Sequence, residues 1–198
     1  SEMCIRDSYR DLAKAASRLA SRGFRVEVAE KYTATLTRGP AVVDLYTNPS
    51  FAQVVYISGS KLLECCTEEF EYEGLVLRGL TREAEAVVAA AHAVYKEHVY
   101  LLADYFTLKK WLSKRTLRLS AELGVEKALE AATALNEAVD RGVMELPLKI
   151  PPAHSVRAYL HKLARDPGFR ATLLNALEYL GTRRVGRVVA WRLTRKAY

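Results

Sequence analysis

From Tyr9 to Arg22, Leu12, Ala15, Ala16, Leu19 and Ala20 recur at three- and four-residue steps, which predicts an amphipathic helix. Gly23 follows where a left-handed cap would end it. The period then shortens to two. Phe24, Val26 and Val28 alternate with Arg25 and Glu27, the pattern of a half-buried strand. Alternation returns over residues 32–37, Arg38-Gly39-Pro40 marks a turn, and Ala41 to Tyr46 predicts a third strand. On that strand Asp44 shares a side with Val42 and Tyr46, and Asn48-Pro49 ends it. Residues 51–57 and 61–66 fit either a short helix or a strand, and residues 70–77 read as a hairpin turning at Glu73-Gly74.

From Thr81 the period lengthens again. Thr81 is a suitable N-cap, and Glu83 and Glu85 suit the positive end of a helix. Ala84, Val87, Ala91, Val94, His98, Leu101, Tyr105, Leu108 and Leu112 follow at helical steps. A second stripe runs through Val88, His92, Tyr95, Val99, Leu102 and Phe106. Two stripes predict one helix, or a broken pair, buried on two sides. Further helices are expected at 114–123 and 125–141, divided by Gly124, and at 153–165, 167–180 and 182–197, with Pro147, Pro151 and Pro152 marking a crossing between the two sets. The fold class expected is α+β: a small mixed sheet unit over residues 9–80, then an all-helical half over residues 81–198. Residues 1–8, Ser-Glu-Met-Cys-Ile-Arg-Asp-Ser, resemble a translated sequencing adapter and are set aside from the fold. On that reading, authentic sequence precedes Tyr9.

Composition changes the picture in two places. Thirty Lys and Arg against twenty-three Asp and Glu give a net charge of +7, yet residues 181–198 hold six bases and no acid. The body of the chain is therefore close to neutral and its end is strongly basic. On a helix, Arg184, Arg187, Trp191 and Arg195 line one side of that end and Val185, Val188, Val189 and Leu193 the other. Basic residues interleaved with an aromatic suit phosphate contacts and base stacking, so RNA is a candidate partner. The alternative is a terminal helix packed through its valines, its arginines neutralising acids elsewhere.

Asn and Gln together number only four while Arg, Lys and Glu are plentiful, which points to a heat-tolerant source. Three cysteines, with Cys65 and Cys66 adjacent, make neither a disulfide framework nor a zinc ligand set. The adjacent pair is expected to be packing in a reducing, cytoplasmic setting. The longest apolar run, Ala86 to Tyr95, is about half a membrane span and contains His92, so no transmembrane helix is expected.

The candidate chemistry centres on Val43-Asp44-Leu45, a carboxylate flanked by apolar residues in a strand. Such a charge is costly unless it is solvated at a cleft, bound to a cation or paired with a base. The helix, the Gly23-Phe24 step, the two alternating strands and the Val43-Asp44-Leu45-Tyr46 strand together resemble the second half of the minimal nucleotidyltransferase fold. Residues 81–85, 92–98 and 102–112 resemble uncharacterised archaeal members of that superfamily and its toxin-type members. The resemblance spans residues 9–112.

It implies Mg²⁺-dependent transfer of a nucleotide from an NTP to a hydroxyl, with Asp44 as the third carboxylate ligand, nearest the attacking oxygen. It also implies that Lys96 and Tyr105, nine residues apart, lie against the triphosphate, with His92 one helical step before Lys96. Nine residues on an unbroken helix fall on opposite faces, so the pairing requires a break near residues 97–101. The Gly-Ser turn and Asp-x-Asp pair that open the fold have no counterpart before Asp44. The 198-residue chain is therefore expected to be inactive. The second function class is a non-enzymatic RNA-binding or helical protein-interaction module. His92, His98 and Asp104, at steps of six, do not converge from one helix. His98 is expected to be a hydrogen-bonded core histidine and Asp104 to pair with a nearby base.

Overall fold

The computed structural model describes residues 2–5 and 9–180, and the side chains of residues 10–176. The expected fold class is the one found. The longer strands precede residue 81, and all but two of the helices follow it. The predicted helix at 182–197 lies outside the described residues.

Helix α1 (Tyr9–Ala20) lies on a sheet formed by β2 (Arg25–Ala29), β3 (Thr33–Arg38) and β4 (Ala41–Tyr46). Gly23 takes φ +85° after α1, a conformation that side chains disfavour, and the chain turns there into β2. Period-two alternation sends Ala34, Leu36 and Leu45 to one face, where they pack on Leu12 and Ala15 of α1. The opposite face carries the register pairs Thr33–Tyr46, Thr35–Asp44 and Thr37–Val42. Strand β1 (Glu2–Ile5), from the residues set aside above, lies parallel to the other edge of β4 with Met3 opposite Asp44. The sheet order is thus β1-β4-β3-β2. Strand pairing is made by main-chain groups, so the register carries no information on the origin of that peptide.

The two ambiguous segments resolve differently. Residues 50–55 form a small hairpin of β5 (Ser50–Phe51) and β6 (Val54–Val55), with Ala52 and Gln53 at positive φ. Residues 59–65 form helix α2 (Gly59–Cys65), capped by the Ser58 hydroxyl accepting from the Lys61 N–H. Cys65 and Cys66, expected to be packing, are joined as a disulfide where α2 hands over to β7. The hairpin expected at 70–77 extends further, as β7 (Thr67–Tyr72) and β8 (Leu75–Leu80).

The main core belongs to the helical half. α3 (Arg82–His92) starts with the Thr81 hydroxyl accepting from the Ala84 N–H. Its small-residue stripe of Ala84, Ala90 and Ala91, with Val87 and Val88, is fully buried. Around it pack α4 (Leu102–Trp111), α5 (Lys114–Glu122), α6 (Glu126–Asp140), α7 (Pro152–Arg165) and α8 (Pro167–Leu180). A short ladder of β9 (Val99–Tyr100) and β10 (Leu148–Lys149) ties the start of α4 to the approach to α7. Among the described residues no helix is long and apolar enough to cross a membrane.

Candidate functional site

β4 carries Asp44 on the sheet face opposite α1, half-buried, with the Thr35 hydroxyl donating to its Oδ1 at 2.6 Å. The carboxylate is thus satisfied by a hydroxyl on the neighbouring strand. Two residues on and on the same face, roughly 7 Å along the strand, comes Tyr46. Its ring is buried, and its hydroxyl accepts from the Lys96 ammonium at 2.5 Å. The end of β4 is therefore fastened to a lysine fifty residues away.

The reason Lys96 arrives there is a break in the helix. α3 ends at His92, and Ala93–Glu97 continue as a π-turn. His98 then takes a left-handed conformation with φ +54°, and the chain enters β9. The break occupies the place that the Lys96–Tyr105 spacing requires. A π-turn closes on the fifth residue rather than the fourth, so His92 and Glu97 come face to face. His92 Nε2 lies 3.4 Å from Glu97 Oε1, and Lys96 Nζ lies 3.7 Å from the same oxygen. On the other side of the ring, His92 Nδ1 is 3.3 Å from the Tyr56 hydroxyl.

Burial holds the Tyr56 hydroxyl well above the usual tyrosine range, reinforced by the neighbouring Tyr46 hydroxyl, the Glu97 carboxylate and the Tyr159 hydroxyl. The Tyr56 hydroxyl keeps its proton and lies within hydrogen-bond reach of His92 Nδ1, while His92 Nε2 faces Glu97. Tyr56, His92, Glu97, Lys96 and Tyr46 thus form one connected polar chain. It runs from the core of the helical half to the end of the strand that bears Asp44. Chemically it fixes an ammonium at the end of the strand that carries Asp44, with Glu97 and His92 behind it.

His92 and Lys96 are therefore brought together at the end of the Asp44 strand, whereas Tyr105 is not. The Tyr105 hydroxyl donates to Asp140 and accepts from Lys109 at 2.6 Å, in a separate cluster between α4 and α6. His98 meets Ser155 Oγ at 3.3 Å and the Phe51 ring edge-on, as a histidine lodged in packing. Asp104, expected to pair with a base, instead accepts from the Leu101 N–H at 2.9 Å and so caps α4. Burial raises its carboxyl above the usual range, against the pull of that hydrogen bond and of His92. The nucleic-acid candidates Arg184, Arg187, Trp191 and Arg195 lie outside the described residues.

Comparison with protein-family models, with curated proteins and with solved structures finds no match for this chain. The site rests on its own geometry.

Three of its members, Tyr46, Tyr56 and Glu97, went unnoticed in the sequence. Tyr46 had one signal, its shared side with Asp44. Tyr56 had none, because its partner is thirty-six residues distant and on another element. Hard cations take several oxygen ligands. Among the described residues no group of three or more His, Cys, Asp or Glu is placed to hold a metal, and Asp44 contributes a single carboxylate. These residues alone do not make a two-magnesium centre.

Proposed function

We propose that this chain carries part of a nucleotidyltransferase-type unit, in which the Asp44 strand and the Lys96 turn form one side of an NTP site. The observation that carries this reading is the Lys96–Tyr46 contact, which sets an ammonium at the end of the strand whose middle bears the carboxylate. A triphosphate demands cationic donors, and a transferring enzyme demands carboxylates for Mg²⁺ close by. Lys96 answers the first demand. Asp44 answers the second only in part, since the Asp-x-Asp pair of the superfamily has no counterpart before it in this sequence. In the proposed enzyme that pair would join Asp44 as ligands, and the acceptor would be a hydroxyl on RNA, protein or a small molecule.

The experiment is a pair of measurements on the 198-residue chain. Calorimetric titration with ATP and GTP is expected to show weak binding. Lys96→Ala should reduce the affinity by about tenfold or more, the usual loss for a charge-assisted hydrogen bond. Incubation with Mg²⁺ and labelled NTP should give no transfer product. Absence of nucleotide binding to the parent chain sinks the proposal. Sustained turnover would instead show that Asp44 has carboxylate partners other than those the superfamily uses.

A further inference from the structure

Cys65 and Cys66 are neighbours in the chain and are bonded to each other where α2 ends. The bond closes a ring that contains their own peptide link, so it restricts rotation on both sides of that link. The two residues meet different surroundings. Cys65 is exposed, whereas Cys66 is 2% exposed and packs in the main core. Cys66 is also the neck of the β7–β8 hairpin. Its N–H donates to the Leu62 carbonyl at 3.1 Å and ends α2, and its carbonyl accepts from the Thr81 N–H at 2.9 Å, where the hairpin returns to α3. Beside it, Arg78 Nε donates to Thr67 Oγ1 and Arg78 Nη2 to the Leu63 carbonyl, each at 2.8 Å. Farther out the hairpin is open to water: Tyr72 is 59% exposed, Leu75 62% and Val76 71%. A two-stranded hairpin is marginal on its own, so its hold on the body rests on this neck.

We propose that Cys65–Cys66 is a thiol–disulfide exchange site for a dithiol reductant, and that its oxidation state sets how firmly the hairpin is held. A thiolate of the dithiol attacks the Sγ of the exposed Cys65. The Sγ–Sγ bond breaks, its electron pair leaves with Cys66 Sγ, and that sulfur takes up a proton. The second thiol of the reductant, as thiolate, then attacks the sulfur that the reductant has placed on Cys65. Cys65 Sγ is released and takes up the second proton. Two electrons pass to the protein, the two protons are those the dithiol gave up, and the reductant leaves as a cyclic disulfide. Attack at Cys66 is disfavoured because the core covers it. With the ring open, the link between the two cysteines rotates freely, and the end of α2 no longer fixes the direction in which β7 leaves.

The test uses the full chain with Cys4→Ser, which leaves Cys65 and Cys66 as its cysteines. Denatured without reductant, it should take up no iodoacetamide and have the mass of a single chain. After dithiothreitol both cysteines should be alkylated. In the native chain reduced with dithiothreitol, Cys65 should be alkylated about tenfold faster than Cys66. Hydrogen exchange read by mass spectrometry should quicken by about tenfold or more across residues 67–80 on reduction, with α3 and α6 unchanged. The further variant Cys65→Ser, Cys66→Ser should exchange like the reduced chain and ignore dithiothreitol. Reactive thiols before reduction, faster labelling of Cys66, hairpin exchange equal in the two states, or a quickening spread equally over the helices would each overturn the proposal.

Discussion

Titrated upward from neutral pH, the protein is expected to unfold cooperatively one to two units above pH 10. Tyr56, Tyr95, Tyr100 and Tyr159 all have their hydroxyls raised above the ordinary tyrosine range, with burial the leading cause in each. All four are also tied to partners, Tyr56 meeting His92 Nδ1 at 3.3 Å. Tyr95 donates to the Ala158 carbonyl, Tyr159 to the Tyr95 carbonyl, and Tyr100 to Asn136 Oδ1. The sign follows from linkage. A group whose folded pKa is raised contributes stability that is complete below its unfolded value, near 10 for tyrosine, and is lost as pH climbs toward the folded value. Each such group costs up to about 1.4 kcal/mol per pH unit in that window, so four together cost about 5 kcal/mol per unit. Against a typical total of about 5–15 kcal/mol, two units suffice. Lys162 acts in the opposite sense, because burial lowers its pKa and stability rises with pH up to about 10.5, but it is one group against four. Tyrosinate absorbance near 295 nm should rise in step with loss of helical dichroism. Early, gradual ionisation of all eleven tyrosines with the helices intact would show that these four are not shielded.

The second large effect is expected at Lys162 itself. Its side chain is 1% exposed, and its ammonium is shared among Asp166 at 2.8 Å, the Gly124 carbonyl at 3.0 Å and the Leu123 carbonyl at 3.4 Å. Asp166 in turn accepts from the Phe169 N–H at 3.0 Å, at the start of α8. One lysine thus ties the carbonyl end of α5 to the end of α7 and, through Asp166, to the beginning of α8. Removing it with Lys162→Ala leaves the Leu123 and Gly124 carbonyls without that donor and takes the ammonium partner from the partly exposed Asp166. The loss should be about 3 kcal/mol or more. At the usual conversion for a protein of this length, that lowers Tm by about 10 °C. Lys162→Met, which keeps most of the volume, should recover only the packing part. Chemical denaturation with an unchanged m-value measures both, and a loss below about 1 kcal/mol for Lys162→Ala would show that the three acceptors find other donors.

Much of the local structure was legible because it depends on backbone geometry alone. Steps of three and four between Leu12 and Ala20, and the alternation from Ala41 to Tyr46, each have one secondary structure that buries the apolar side. The Thr81 cap and the turns at Gly23 and Glu73-Gly74 follow from which residues tolerate those conformations. Residues 50–55 and 59–65 were not legible, because short apolar runs bury equally well as helix or strand and the neighbours decide. Of the two alternatives for residues 81–112, one helix or a broken pair, the structure takes the broken pair. The apolar stripes run on through residues 93–99 and hide the π-turn, in which Tyr95 stacks on Tyr56 and meets Tyr159 edge-on.

By itself, then, the sequence determined that a carboxylate would stand at Asp44 in a strand, on the side that Tyr46 shares. It also determined that the basic charge is concentrated after residue 180 and that helices dominate after residue 81. Only the tertiary structure decided that Lys96 closes on Tyr46, that Tyr56 and Glu97 bracket His92, that Tyr105 turns to a different cluster, and that Lys162 is buried rather than solvated. The physical reason is one of range. Periodicity and capping are settled within a few residues. The pairing of polar groups thirty to fifty residues apart depends on which of them lose water together when the core closes.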